Sequence, residues 1–464
     1  MMKRLATVIF FMFVIFHCGK AQTWNSVGGG FTNGGGGSTG FSAKEKLYIG
    51  VGGLMSGWTF AGNHLNGICS LQGSTIDSLG AGVGGFSGYA TCVEWYNGKL
   101  IVAGNFTDAG GPTQWSIPFT GNIAAWDSTN GWSSLTPLGN PDNPISSIIE
   151  YQGNLYIGGY FLNVNNILVN AIAKWNGTSW SNVGGGVSNG NPHVNSMAMY
   201  HGQLYIAGGF QSAGTSNIPV WYIARWNGTQ WDSVGRGMNN YVMDLEVDTV
   251  QDVLYACGGF TRAGDTAAYG IAMWNDTIWS PVGSGTDTLW GTHCLALYNG
   301  ELYAGGGNVT ITTQGDTIKN VYKYNGIKWI SVDGGANNTV EEMCVFQGNL
   351  YIGGYFWQVG NGILARRIAC YGTTCPLGVG ISEQAPPVPF KMFPNPNDDV
   401  LHIESEETRQ MIFRLSSGDG KIISEKRFFS KLDYSTRKLA TGIYTVQICL
   451  SDGSRCHTEK LVVK

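Results

Sequence analysis

Leu155-Tyr156-Ile157-Gly158-Gly159-Tyr160-Phe161 and Leu350-Tyr351-Ile352-Gly353-Gly354-Tyr355-Phe356 are two copies of one heptapeptide. Related versions start at Leu47, Leu100, Leu204, Leu254 and Leu302, so successive leucines are 53, 55, 49, 50, 48 and 48 residues apart. A period of about 50 residues implies a unit that stacks on its neighbours, as in propellers and solenoids. The clearest copy defines that unit. Val194 to Tyr200 alternates apolar and polar side chains, the period of a half-buried strand. His201-Gly202 turns the chain into a second strand, Gln203 to Phe210, and a longer loop leads to Ile223-Ala224-Arg225-Trp226. Asn227-Gly228 then turns it into Trp231 to Gly235, and Asn-Gly between apolar runs is a strong hairpin signal. Each repeat predicts four antiparallel strands, one propeller blade.

The repeated residues have structural work to do in such a blade. Paired glycines let backbone or a large ring approach closely. The tryptophan pairs Trp175/Trp180, Trp226/Trp231 and Trp274/Trp279 sit on paired strands and bury aromatic area between blades. A lone four-stranded sheet leaves a face uncovered, so the blades must stack. Trp24-Asn25-Ser26-Val27-Gly28 matches a fourth strand without the first three, and Ile368-Ala369-Cys370-Tyr371 matches a third strand without a fourth. Joining them predicts an all-β, seven-bladed propeller closed by its N-terminal strand, with no open edge. The 70 glycines without a collagen period, and 12% aromatic residues, suit that class. A formal net charge of -4 offers no basic footprint and excludes nucleic acid as the expected partner.

Over residues 22–375 the pattern resembles the kelch-type propellers, whose signature is a glycine pair followed by an aromatic and a tryptophan on the next two strands. Trp126-Asp127-Ser128-Thr129-Asn130-Gly131-Trp132 has the family's spacing, and Tyr324-Asn325-Gly326-Ile327-Lys328-Trp329 is one residue shorter. Leu71 and Ile76 replace the two aromatics in the first blade. The resemblance implies a fold and leaves activity open.

At the N-terminus Lys3 and Arg4 precede an apolar run from Leu5 to Phe16, and Gly19-Lys20-Ala21 supplies small residues at a cleavage site. Residues 1–21 therefore read as a signal peptide. His17 precedes Cys18 where a lipobox needs a small residue. No later segment is apolar enough to span a membrane.

Residues 391–464 hold 22 of the 58 charged side chains, a compositional step that marks a second domain. A spacer over 376–389 contains Ala385-Pro386-Pro387-Val388-Pro389, and the 390–464 segment reads as a small β-sandwich. Phe393-Pro394-Asn395-Pro396, Gly442-Ile443-Tyr444 and the terminal Lys460-Leu461-Val462-Val463-Lys464 resemble the type IX secretion C-terminal sorting domain. By that resemblance Pro394, Asn395, Pro396, Gly442, Tyr444, Lys460 and Leu461 form the sorting motif, the outer-membrane secretion machinery is a partner, and the protein is released from or attached to the surface of a Gram-negative cell.

Cys449 and Cys456 flank an Asp452-Gly453 turn, and Cys370 and Cys375 end the last blade. Both pairs are candidate disulfides, with free buried thiols the alternative. The loops after the second and fourth strands open on one face and carry aromatics outside the repeat pattern: Trp58, Phe60, Trp115, Trp221 and Trp290. Such rings suit stacking on sugars or anchoring a protein partner, against the reading that they cap blade ends. His64, His193 and His293 share that face on different blades and select no metal, and no cofactor motif is present. Asp108, Asp265 and Asp287 lie there too. The expected function is a non-catalytic binding or adhesion module, and the alternative is a polysaccharide hydrolase or lyase using those acids. Asp-Ser/Thr-apolar triplets such as Asp265-Thr266-Ala267 and Asp287-Thr288-Leu289 resemble O-glycosylation acceptors.

Overall fold

A computed structural model describes residues 22–27, 30–32, 38–51, 58–60, 63–65, 67–72, 75–80, 82–84, 88–110, 121–135, 140–285, 291–311, 317–375, 390–394, 399–405, 410–417, 422–450 and 456–463. The signal peptide and the spacer lie outside these residues. All regular structure among them is β, and none forms a helix long and apolar enough to cross a membrane. The chain divides into two compact units, Met1–Val379 and Gly380–Lys464.

The larger unit contains seven repeat sheets among the described residues, six of four antiparallel strands and the fourth with the same four plus the short strand Ile218–Pro219. Their first strands are Ser38–Ala43, Tyr89–Tyr96, Ile145–Tyr151, Val187–Tyr200, Val242–Asp248, Thr292–Tyr298 and Val340–Phe346. The turn after the first strand recurs as Asn97-Gly98, Gln152-Gly153, His201-Gly202, Asn299-Gly300 and Gln347-Gly348, each with two consecutive positive φ values. That is the type I′ geometry matched to the strand twist, which explains the second-position glycine in these five turns. Between third and fourth strands an asparagine closes the turn. Asn176 Oδ1 accepts from the backbone N–H of Thr178 at 2.9 Å and of Ser179 at 2.8 Å, and Asn227 does the same for Thr229 and Gln230.

The seventh sheet combines both ends of the unit. Thr23–Ser26 pairs antiparallel with Ile368–Gly372, placing Trp24 opposite Tyr371 and Asn25 opposite Cys370. A disulfide joins Cys370 to Cys375, with Cα atoms 5.9 Å apart.

Sheets are joined through their faces. A separate hydrophobic cluster lies between each consecutive pair, and another between the seventh sheet (Phe346, Tyr351, Ile368) and the first (Leu47, Ile49, Leu71). Paired tryptophans occupy these clusters, with ring centroids 5.0 Å apart for Trp226 and Trp231. In most sheets the fourth-strand tryptophan also donates its indole N–H to a carbonyl of the preceding sheet: Trp231 to Val183 at 2.9 Å, Trp279 to Val234 at 2.9 Å, Trp329 to Val282 at 3.0 Å and Trp24 to Val332 at 3.1 Å. A large ring whose polar handle is satisfied can be fully buried without penalty. Gly237 follows this carbonyl at φ 64, and a Cβ there would meet the Val220 carbonyl oxygen at 2.6 Å, so no other residue fits.

In the smaller unit Phe390–Phe393, Val400–Ser405 and Lys431–Ser435 form one sheet. Ile422–Phe428, Met411–Ser416, Gly442–Leu450 and Cys456–Val463 form the other. Leu401 and Ile403 of the first share one core with Phe413, Leu415, Val446 and Leu461 of the second.

Candidate functional site

The first strands adjoin one another from sheet to sheet, and their side chains cross between sheets. Thr91 Oγ1 donates to the Ile145 carbonyl at 2.7 Å and Asn195 Nδ2 to the Val242 carbonyl at 2.9 Å. Where these strands begin and the second strands end, a cavity of about 500 Å³ opens. Tyr160, His193, Tyr222, Tyr241 and His293 supply its rings.

The rim follows from the repeat itself. The position directly before the buried Phe161 and Phe356 is tyrosine, Tyr160 and Tyr355, both more than two-fifths exposed. In the fourth and fifth sheets the same position is Gly209 and Gly259. There the ring comes instead from the residue before the one paired with the first glycine, His193 before Val194 or Tyr241 before Val242. A Cβ on Gly259 would lie 2.6 Å from Tyr241 Cζ, and one on Gly209 would overlap the His193 ring. Each of these four sheets therefore presents a ring at this level, from its second strand or from its first. Tyr160 and His193 stack at 4.5 Å with planes 7° apart. Burial holds the His193 pKa below the usual histidine range, which keeps the imidazole neutral and its face apolar.

Deeper along the first strands the wall is acidic. Asp244 accepts from Ser196 Oγ at 2.9 Å, Leu245 N at 2.8 Å and Leu295 N at 2.9 Å. Burial still raises its pKa, because protein surrounds the carboxyl on most sides. Glu246, beside it, is pushed up to about 7 by burial and then by Asp244. Burial, followed by Asp244 and Glu341, raises Glu342 well above the carboxylate range. At the cavity edge His293 Nδ1 lies 3.0 Å from Glu341 Oε2. The thiol of Cys92 is pushed up to about 12 by burial, so it carries no thiolate for nucleophilic chemistry.

A pH dependence of stability follows from Glu246. Its folded pKa lies above the ordinary value of 4.5, so the unfolded chain releases the proton first. The favourable contribution is complete below pH 4.5 and is lost as pH rises to about 7. In Glu246→Gln the stability gained relative to wild type is larger at pH 8 than at pH 4, by on the order of 2 kcal/mol. Urea unfolding at the two pH values checks it, and an equal effect at both contradicts it.

The predicted residues divide sharply. Trp221 is 45% exposed and lines a separate groove, while its neighbour Tyr222 lines the mouth cavity. The backbone of Trp58 forms a strand, but its side chain, and all of Trp115, Trp290 and Asp287, lie outside the described residues. His193 and His293, remote in sequence, line one cavity, yet no group of three metal-ligating side chains occurs among the described residues. Asp108 lies on a strand of a two-stranded ribbon, in the loop after the second strand of the second sheet, and Asp265 in the turn of a ribbon in the equivalent loop of the fifth, where it is bound to Arg236 at 2.8 Å. Cys449 is registered opposite Cys456, with both side chains outside the description. Tyr160, Tyr241 and Tyr355 were hidden in the repeat pattern; the alternation of tyrosine and glycine before the phenylalanine was the readable signal.

In the smaller unit Tyr444 Oη donates to the Ala440 carbonyl at 2.8 Å, and Tyr444 is registered opposite Leu461, with Gly442 opposite Val463 and Thr445 opposite Lys460. Pro394 follows a cis peptide bond, and Asn395 and Pro396 lie outside the described residues. This whole segment matches a known family. Residues 391–464 are a secretion system C-terminal sorting domain. The sorting domain directs export by the type IX route, so the protein engages the secretion machinery and is secreted or attached to the outer surface. No curated protein matches the sequence. Among solved structures, PorZ of Porphyromonas gingivalis, a surface component of the type IX secretion system, is similar at 12% identity and a TM-score of 0.31, over 92% of this chain and 75% of that one. The extracellular domain of a putative one-component system from B. thetaiotaomicron is similar at 10% identity and a TM-score of 0.30, over 96% and 99%.

Proposed function

We propose that residues 22–375 form a seven-bladed, kelch-like propeller that the sorting domain carries out of the cell, and that it acts there as a non-catalytic carbohydrate-binding module. The ring is supported by the cluster between the seventh and first sheets and by the pairing of Thr23–Ser26 with Ile368–Gly372. The binding role rests on one observation, the rings of Tyr160, His193, Tyr222, Tyr241 and His293 gathered around the mouth cavity. Tyr160, His193 and Tyr241 present apolar faces beside bare glycine backbone, an arrangement that takes the flat face of a sugar ring. The acids on the long-loop face support the hydrolase alternative less well, since Asp108 and Asp265 lie in loops of the second and fifth repeats, three repeats apart.

Tyr160→Ala and Tyr241→Ala each remove about 1–1.5 kcal/mol of stacking, and the pair together weakens glycan binding by roughly tenfold or more. Titration of the secreted wild type and double variant with the best ligand from a glycan array tests this. Equal affinities, or slow breakdown of the glycan by the wild type, overturn the reading.

A further inference from the structure

We infer that a second site, for an anionic sugar, occupies the groove between the fourth and fifth sheets. This groove, of about 710 Å³, is distinct from the mouth cavity and is walled by Trp221, Arg236, Arg262 and Asp265.

Its frame is a device that the chain repeats. At or just before a third strand, a residue offers its carbonyl to the next sheet: Asn170 to Val187 N at 3.0 Å, Lys319 to Ala336 N at 3.1 Å and Trp221 to Met238 N at 2.9 Å, with Asn170 and Trp221 at positive φ. After the second strand, a side chain of the preceding loop clasps two successive N–H groups. Asp142 holds Leu162 and Asn163, Asn337 holds Trp357 and Gln358, and Asn239 holds Thr261 and Arg262, both at 2.9 Å. The backbone is thus the same from sheet to sheet while the outward side chain changes. Only this groove, among those described, places an indole at the first position and a guanidinium at the second. The scaffold explains none of these choices, because Asn170 and Lys319, or Asn163 and Gln358, satisfy it equally.

The chemistry of the three variable residues is specific in combination. Trp221 is 45% exposed with its backbone pinned on both sides, so its ring is a rigid platform. Arg262 is exposed and makes no ion pair among the described residues. Arg236 is held at the groove by Asp265, at 2.8 Å, in a pair whose partners are both largely exposed. An indole stacks on a sugar ring, and a guanidinium fork takes a carboxylate or sulfate on two parallel hydrogen bonds. A uronate or a sulfated sugar offers both at once. The ligand anion competes with Asp265 for Arg236, and that competition gives the site a signature that folding defects cannot imitate.

Titration of the secreted protein with trigalacturonate, a chondroitin sulfate tetrasaccharide and neutral galactotriose is the test. At least one anionic probe is expected to bind, and to bind at least tenfold more weakly to Trp221→Ala and to Arg262→Ala, with a further weakening from 50 to 500 mM NaCl. Asp265→Ala is expected to bind it severalfold more tightly, and Tyr160→Ala to bind it unchanged, which separates this site from the mouth. The inference is overturned if neither anionic probe binds, if Arg262→Ala leaves their affinity unchanged, or if Asp265→Ala weakens binding.

Discussion

Trp24→Ala is expected to lower the unfolding free energy of the larger unit by about 3–5 kcal/mol, the range for emptying a buried tryptophan site. The indole is 3% exposed, donates to the Val332 carbonyl at 3.1 Å and lies 4.9 Å from the Tyr371 ring. It therefore ties the sixth sheet, the seventh sheet and the N-terminal strand together. Deleting residues 22–27 goes further, because Ile368–Gly372 is left as an unpaired edge and Val27 is lost from the cluster that joins the seventh sheet to the first. The deleted chain is expected to be recovered mainly as aggregate, while the point variant stays soluble with a lowered urea midpoint. A midpoint within experimental error of wild type would mean that the strand is not structural.

Removing residues 391–464 is expected to cut the amount of protein outside the cell by more than tenfold, with the remainder retained in the cell envelope. The sorting domain has its own core, built from Phe413, Leu415, Val446 and Leu461, and the larger unit shares none of those residues. The truncated chain therefore keeps its fold and loses its address. Leu461→Asp is expected to reproduce the defect, since Leu461 is fully buried opposite Tyr444 and a lone charge there cannot be accommodated. Fractionation with immunoblotting of medium, surface and envelope separates the outcomes. Undiminished release of the truncated chain would contradict the role of the domain.

Much of this architecture was legible because it repeats. The Leu-Tyr-Ile-Gly-Gly runs mark second strands, the residue-glycine pairs before them mark type I′ turns, and the tryptophan pairs fall opposite each other in register, as for Trp175 and Trp180. Even the pairing of Trp24 with Tyr371 could be anticipated from two half-complete repeats. The site was less legible, for a physical reason. Whether a sheet's rim ring comes from its second strand, as Tyr160 does, or from its first, as His193 does over Gly209, depends on a trade between two positions that are 16 residues apart in the case of His193 and Gly209. The acidic wall was invisible for a similar reason. Asp244, Glu246 and Glu342 occupy polar positions of alternating strands, where a single strand reads as solvent-facing, and only the approach of neighbouring first strands buries them. Trp221 stood out as an aromatic beyond the repeat, but its guanidinium neighbours come from later segments.

The most direct test of the central claim, closure of the seven sheets by the N-terminal strand, is hydrogen exchange at the amides of Thr23–Ser26. If the strand completes the seventh sheet, those amides exchange as slowly as those of Ile368–Gly372 and open only with global unfolding. Exchange of Thr23–Ser26 at the rate of an unstructured peptide, beside a protected Ile368–Gly372, would contradict it.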